Sequence, residues 1–196
     1  MKTLRTLIPR IALSALAAIS LCSCATTKPA DYLAPGFSPA EVTSVAVLPM
    51  VDNRIDKRTR MDLAKAAKPW IKSMLKYKGY PHNFITEQEA PGPYPRSAAT
   101  PPSPSWISNL PSGNDRWVLL MILNDSSSQL TFGSTGNAEV QGYLFDKSKG
   151  TVLWREQATS RCGQGGLIGM AMKGLAEISA VQTATCQALN TLPSKK

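Results

Sequence analysis

The run Trp117-Val-Leu-Leu-Met-Ile-Leu123 limits what this chain can fold into more than any other segment. Alternate residues of a strand point to opposite faces, so an unbroken apolar run puts apolar side chains on both. It is short for a helix and rich in branched residues, which predicts a central strand covered above and below. The polar stretch Asn124-Asp-Ser-Ser-Ser128 reads as its end.

The other elements follow from period and punctuation. Ser44 to Val51 is dense in β-branched residues and reads as a buried strand, with Pro49 near its far end. Residues 60 to 77 read as a helix whose apolar face is Leu63, Ala67, Trp70, Ile71 and Met74. Pro69 predicts a kink there, or two short helices, and Gly79 reads as the stop. Asn83 to Thr86 is a short strand. Ala90 to Pro111, with seven prolines, reads as an extended loop holding a helical turn near Trp106. Asn137–Phe145 and Thr151–Gln157 flank Asp146-Lys-Ser-Lys-Gly150 as a hairpin. Gly163, Gly165 and Gly166 read as a corner before a last helix through Leu167, Ala171, Leu175, Ile178 and Val181 to about Leu192. The expectation is a single α/β (α+β) domain of two or three layers. Its mixed sheet has a β-α-β opening, an antiparallel meander and a C-terminal helix.

The N-terminus carries a different signal. Lys2, Arg5 and Arg10 precede an apolar run from Ile11 to Leu21, which is too short to cross a bilayer as a helix. This is the pattern of an export signal. Leu21-Cys22-Ser23-Cys24 resembles the lipobox of bacterial lipoproteins. The resemblance implies cleavage before Cys24 and lipidation of its thiol and new amino group, hence anchoring to a membrane rather than spanning it. Residues 1–23 are then the signal, 24–43 a lipidated cysteine with a flexible tether punctuated by Pro29, Pro35-Gly36 and Pro39, and 44–196 the domain. Ala25 is not the aspartate associated with inner-membrane retention, so the expected place is the periplasmic face of the outer membrane.

Processing leaves 19 Lys and Arg against 13 Asp and Glu, a net of +6. The basic residues are spread over Lys57, Arg58, Arg60, Lys65, Lys68, Lys72, Lys76 and Lys78, as on a solvated helix face. An exported chain also seldom meets nucleic acid, so none is expected as partner. Cys162 and Cys186 remain as thiols in an oxidising compartment and form a candidate disulfide, with two separate buried thiols as the other reading. Joining them requires the last helix to break near Gly174 or to start late, because a straight helix of this length holds its ends about 30 Å apart. His82 is the lone histidine and the mature part has no Cys-x-x-Cys, so neither a metal nor a cofactor is expected.

No catalytic set assembles from the sequence. Ser126 to Ser128 lack a Gly-x-Ser-x-Gly setting, and Asp52 with Asp56 reads as a solvated turn rather than an acid–base pair. Gly163-Gln-Gly165-Gly166 has Ile168 where the dinucleotide pattern needs glycine. Gly165 and Gly169 have the spacing of a helix-contact face, though a core helix is the simpler account. The expectation is a binding protein, not an enzyme.

Three pieces occur in a characteristic order: Val45-Ala-Val-Leu-Pro49, Leu75-Lys-Tyr-Lys-Gly-Tyr80, and Leu144-Phe-Asp-Lys-Ser-Lys-Gly-Thr-Val-Leu-Trp154. The set resembles bacterial envelope lipoproteins built on the TolB amino-terminal-domain fold, a group that includes the curli channel CsgG. The likeness spans about residues 44 to 192 and rests on structural motifs, not site motifs. The chain departs from CsgG in lacking a pair of long alternating segments for a transmembrane barrel. The resemblance implies an accessory or assembly lipoprotein of an envelope complex, held to the membrane by lipid and binding a protein partner. A homo-oligomeric ring or channel component is the alternative.

Overall fold

Burial of Trp117–Leu123 on both faces organises the sheet. The computed structural model describes residues 29–55, 62–86, 92, 94, 102–131, 133–165 and 174–195. In chain order the elements are β1 (Tyr32–Leu33), β2 (Val45–Val47), β3 (Val51–Asp52), α1 (Leu63–Tyr77), β4 (His82–Phe84), α2 (Pro104–Ser108), β5 (Trp117–Thr131), β6 (Gly133–Asp146), β7 (Thr151–Gly165) and α3 (Leu175–Asn190). They form an open, mixed, seven-stranded sheet in the order β1-β7-β6-β5-β2-β4, with β3 also paired to β5. β2 runs parallel to β4 and to β5, so β2-α1-β4 is the parallel crossover expected; β5, β6 and β7 make the antiparallel meander.

The alternation of β5 divides the core in two. Trp117, Leu119, Met121 and Leu123 face α1 and α3, joining Ile71, Leu75, Trp154 and Val181. Val118, Leu120 and Ile122 face the other way, against Ile107 and Leu110 of the α2 region and Tyr143 and Phe145 of β6. Tyr143 and Phe145 stack at 5.3 Å between ring centroids. Gly142 is required by this packing, since a Cβ there would stand 2.7 Å from the Trp154 ring.

α1 begins at Asp62, whose carboxylate accepts the Lys65 N–H at 2.8 Å. It runs through Pro69 as one helix rather than two short ones. Pro69 is exposed, so the donor it removes is lost on the solvent side, where water can serve the freed carbonyl. Leu63, Ala67, Ile71 and Leu75 are buried, whereas Trp70, expected on that face, is 44% exposed. Pro49 splits the predicted first strand into β2 and β3.

Four further expectations need correction. β5 does not end at Asn124: after an irregularity between Leu123 and Asp125, its polar half stays paired to β6 as far as Thr131. The meander therefore has strands of 15, 14 and 15 residues, about twice the predicted length. Gly163 and Gly165 lie within β7 rather than at a corner. The tether is shorter than predicted, because β1 pairs with β7 through Tyr32 and Leu33 and Val42 is fully buried. α3 starts at Leu175 behind Gly174, whose φ of 110° favours glycine; Leu167 to Lys173 lie outside the described residues.

The β6–β7 turn is fastened by Asp146. Its carboxylate accepts from Ser148 N and Oγ at 3.1 and 2.7 Å, and from Arg116 Nε at 2.9 Å. Burial pushes its pKa up, but the hydrogen bonds from Arg116 and Ser148 outweigh that and hold it down at about 2.

Leu120 is fully buried, and Ser127, only seven positions along the same strand, is exposed. Leu120→Ala is expected to destabilise the fold by about 2–5 kcal/mol through lost transfer energy and a cavity. Ser127→Ala is expected to change it by less than about 0.5 kcal/mol. Urea unfolding of both variants checks the pair; similar small losses would contradict the two-faced core.

Candidate interaction surface

A buried ionic cluster sits where the apolar half of β5 gives way to its polar half. Arg54 follows β3 and is 5% exposed. Its Nε and Nη2 donate to the two oxygens of Asp52, each at 2.8 Å, a planar fork on a carboxylate. Its Nη1 donates to Ser126 Oγ at 2.9 Å and lies 3.5 Å from Glu177 Oε1. Ser126 Oγ in turn donates to Glu177. The hydrogen bonding of its guanidinium to Asp52 is the chief reason the Arg54 pKa is raised, with burial acting against it. Beside this cluster, Asn124 Nδ2 donates to Glu139 at 3.3 Å and to Gln141 at 3.4 Å.

Local sequence explains the arrangement. The irregularity after Leu123 resets the alternation, so Ser126 pairs with Ala138 on the helix side and Asp125 with Glu139 on the other. Gly136 lets the first turn of α3 approach; a Cβ there would stand 2.2 Å from the Ala176 carbonyl oxygen. Glu177 therefore reaches Ser126 and Arg54 from the first turn of α3, where a negative charge is also favoured by the helix dipole. Asp52, weighed with Asp56 as an acid–base pair, is taken up by Arg54; Asp56 lies outside the described residues.

A second buried carboxylate holds the N-terminal strand. Glu156 is fully buried, and its Oε2 accepts the Asp31 N–H at 3.0 Å and the Thr191 hydroxyl at 3.3 Å. Asp31 answers by accepting the Gln157 N–H at 2.8 Å. The chain thus enters the domain beside the C-terminal end of α3. The end of α1 is tied to the same place: Lys78 Nζ donates to the Asn190 carbonyl at 2.8 Å and the Tyr80 hydroxyl to the Pro193 carbonyl at 2.6 Å.

Two surfaces remain open. On the helix layer, α1 carries Lys65, Lys68, Lys72 and Lys76 without a single acid, and none of these ammoniums is in an ion pair among the described residues. Trp70 is 44% exposed and Tyr77 69%. Beside α1, a cleft of about 320 Å³ lies at the carboxyl ends of β2 and β4, lined by Met50, Lys65, Lys68, Ile71 and Phe84 among others. Lys68 Nζ stands 4.9 Å from the centroid of the Phe84 ring, a cation–π contact. On the opposite side of the sheet, Asp125, Ser127, Gln129, Thr159 and Arg161 form the exposed polar face of the long meander.

The remaining predicted site residues are dispersed. Cys24 and Gly166 lie outside the described residues. Cys186 is a free thiol whose pKa burial raises, so the Cys162–Cys186 bridge does not form. Cys162 is itself disulfide-bonded, but not to Cys186; along α3 its Sγ meets Thr183 Oγ1 at 3.5 Å, and Cys186 is nearly one turn further. His82 Nδ1 is 2.9 Å from the Tyr80 carbonyl oxygen and its ring packs edge-on to Phe84. Among the described residues no helix is long and apolar enough to cross a membrane, and no group of three or more His, Cys, Asp or Glu is placed to hold a metal. Sequence reasoning missed Arg54, Glu156 and Glu177. One signal was available: Glu177 is the lone charge in the sixteen residues of α3.

No family model and no curated protein sequence matches the chain. Solved structures do. PelC of Paraburkholderia phytofirmans, solved as a dodecamer, is 16% identical, covers 83% of this chain and 96% of its own, and has a TM-score of 0.52. A single-substitution variant of it, also a dodecamer, is 20% identical over 85% of this chain and 96% of its own, with a TM-score of 0.50. Lipoprotein GNA1162 of Neisseria meningitidis is 16% identical over 70% of this chain and 98% of its own, with a TM-score of 0.45. The likeness to PelC is one of fold.

Arg54→Ala is expected to cost about 3–5 kcal/mol, because it leaves the buried Glu177 and the half-buried Asp52 carboxylates without their cation. Added to Glu177→Gln, it is expected to cost less than the sum of the two single changes by at least about 0.5 kcal/mol. A double-mutant cycle in urea measures this; strictly additive losses would mean that the two side chains do not share one network.

Proposed function

We propose that this chain is a lipid-anchored accessory or assembly protein of a bacterial envelope complex for secretion, transport or wall synthesis. It faces the periplasm from the outer membrane and acts by binding protein, not by catalysis. The observation that carries this reading joins sequence to geometry. Asp31 is already fastened to Glu156, so only six residues, or seven steps along the chain, separate the lipobox cysteine, Cys24, from the domain. At full extension they reach about 24 Å, which keeps the domain at the membrane. The resemblance of the sequence to the TolB amino-terminal-domain lipoproteins supports the same class.

The second reading, a homo-oligomeric ring, is favoured by one specific observation: PelC, of like fold, is solved as a dodecamer. Strands of 14 and 15 residues in the meander also supply the long paired segments that the sequence did not announce. The two readings share the anchor and differ in the partner.

Cys24→Ser is expected to abolish labelled palmitate incorporation; unchanged labelling would sink the anchor. Crosslinking in cells, followed by mass spectrometry, then identifies the partner. Crosslinks to a different envelope protein support the accessory role. Crosslinks only between copies, with a light-scattering mass that is a whole multiple of the protomer, support the ring.

A further inference from the structure

We infer that the outward face of α1 is a second membrane contact, seated on the anionic phospholipid headgroups of the bilayer that holds the lipid anchor. At 3.6 residues per turn, the buried positions Leu63, Ala67, Ile71 and Leu75 fix the opposite side of the helix. Lys65, Lys72 and Lys76 lie along one flank of that outward side; Tyr77 lies along the other, with Trp70 beyond it at the margin of the buried arc, still 44% exposed. Cations beside half-exposed aromatic rings match a headgroup layer: the ammoniums meet phosphates, and the rings sit with an apolar body and a polar tip at the interface.

The charge around this face is one-sided. α1 contains no acid; Asp62, just before it, is used in capping Lys65 N–H. The neighbouring helix α3 has one charged residue, Glu177, and that side chain is turned inward against Ser126. Within the two helices no acid faces the lysines, and the nearest carboxylate, Asp62, stands at the N-cap, the end away from Lys72 and Lys76. Near an anionic leaflet each lysine contributes about a fivefold gain in partition, an effect that salt weakens.

Geometry brings the face to the membrane. The tether enters at Glu156 beside Thr191, next to the end of α3, and Lys78 and Tyr80 tie the end of α1 to that same corner. Lys76 and Tyr77 thus stand at the corner from which the anchor departs. Laying α1 on the bilayer orients the domain: the polar face of the meander, with Ser127, Gln129 and Arg161, then points away from the membrane toward a partner. The inference rests on the lipid-anchor reading, which supplies proximity, and the test separates the two.

Full-length protein, its lipid verified by mass, is reconstituted into phosphatidylcholine vesicles with or without phosphatidylglycerol at about 30%. Lipids brominated near the headgroup quench tryptophans at the interface, and Trp70→Phe isolates the Trp70 share. Trp70 is expected to be quenched in anionic vesicles only. The quenching is expected to disappear at about 0.5 M salt and in the Lys65→Gln, Lys72→Gln, Lys76→Gln triple variant, whose urea midpoint stays unchanged. Absence of Trp70-specific quenching in anionic vesicles, or equal quenching in neutral ones, overturns the inference while leaving the anchor intact. So does a Trp70 that is shielded in a multimer without lipid, which would give the face to a second copy. A mass without lipid instead overturns the anchor. Sedimentation of that unlipidated protein with anionic vesicles then decides the face alone: binding that the triple variant loses supports it, and no binding overturns it.

Discussion

Burying one guanidinium at the middle of the sheet holds together parts that apolar packing does not reach. Beyond Leu123 the meander has little to bury: Asp125, Ser127 and Gln129 face solvent on one side. On the other side Arg54 joins the exit of β3, through Asp52, to Ser126 of β5 and Glu177 of α3. A charge removed from water is tolerated only where its partners replace the lost hydration. Three side chains do so here, and each comes from a different element. The cluster fixes where α3 begins against the sheet, and Gly136 makes that approach sterically possible.

The rest of the domain follows from two apolar layers that share β5. One receives α1 and α3, the other α2 and the chain around it. Glu156 repeats the logic of Arg54 at the far edge, where a buried carboxylate receives an N–H from the incoming strand and a hydroxyl from the end of α3. The two buried charges therefore mark the two joints of the fold: the start of α3 at the long meander and its end beside the incoming strand β1. What remains exposed sorts by side, with lysines and aromatic rings on the helix layer and a polar face of mixed charge, Asp125 to Arg161, across the sheet. Two unlike faces of this kind suit the proposed placement between a membrane and a partner.

Much of the core half was legible in the sequence because periodicity reports burial. The run Trp117–Leu123, the 3.6-residue spacing of Leu63, Ala67 and Ile71, and the turn at Asp146 to Gly150 each specify their element. The polar half of β5 was not legible. Asn124 to Ser128 reads as a loop by composition, yet it is strand because its irregularity turns Ser126 inward to a guanidinium and leaves Asp125 and Ser127 in water. Trp70 misled for a related reason: it lies at the margin of the buried arc, where hydrophobicity alone does not distinguish core from surface. The Cys162–Cys186 pairing failed on register along α3, which depends on where the helix meets the sheet rather than on spacing in the chain.

The central claim is that residues 125–131 form a paired strand held by the Arg54 cluster. Hydrogen exchange of the amides in this stretch tests it most directly. The account predicts that those facing β6 exchange at least about a hundredfold more slowly than in a free peptide, and that Arg54→Ala removes most of this protection while leaving Val118 to Ile122 protected. Exchange of the stretch at free-peptide rates in the unaltered protein, or protection that Arg54→Ala leaves untouched, would contradict it.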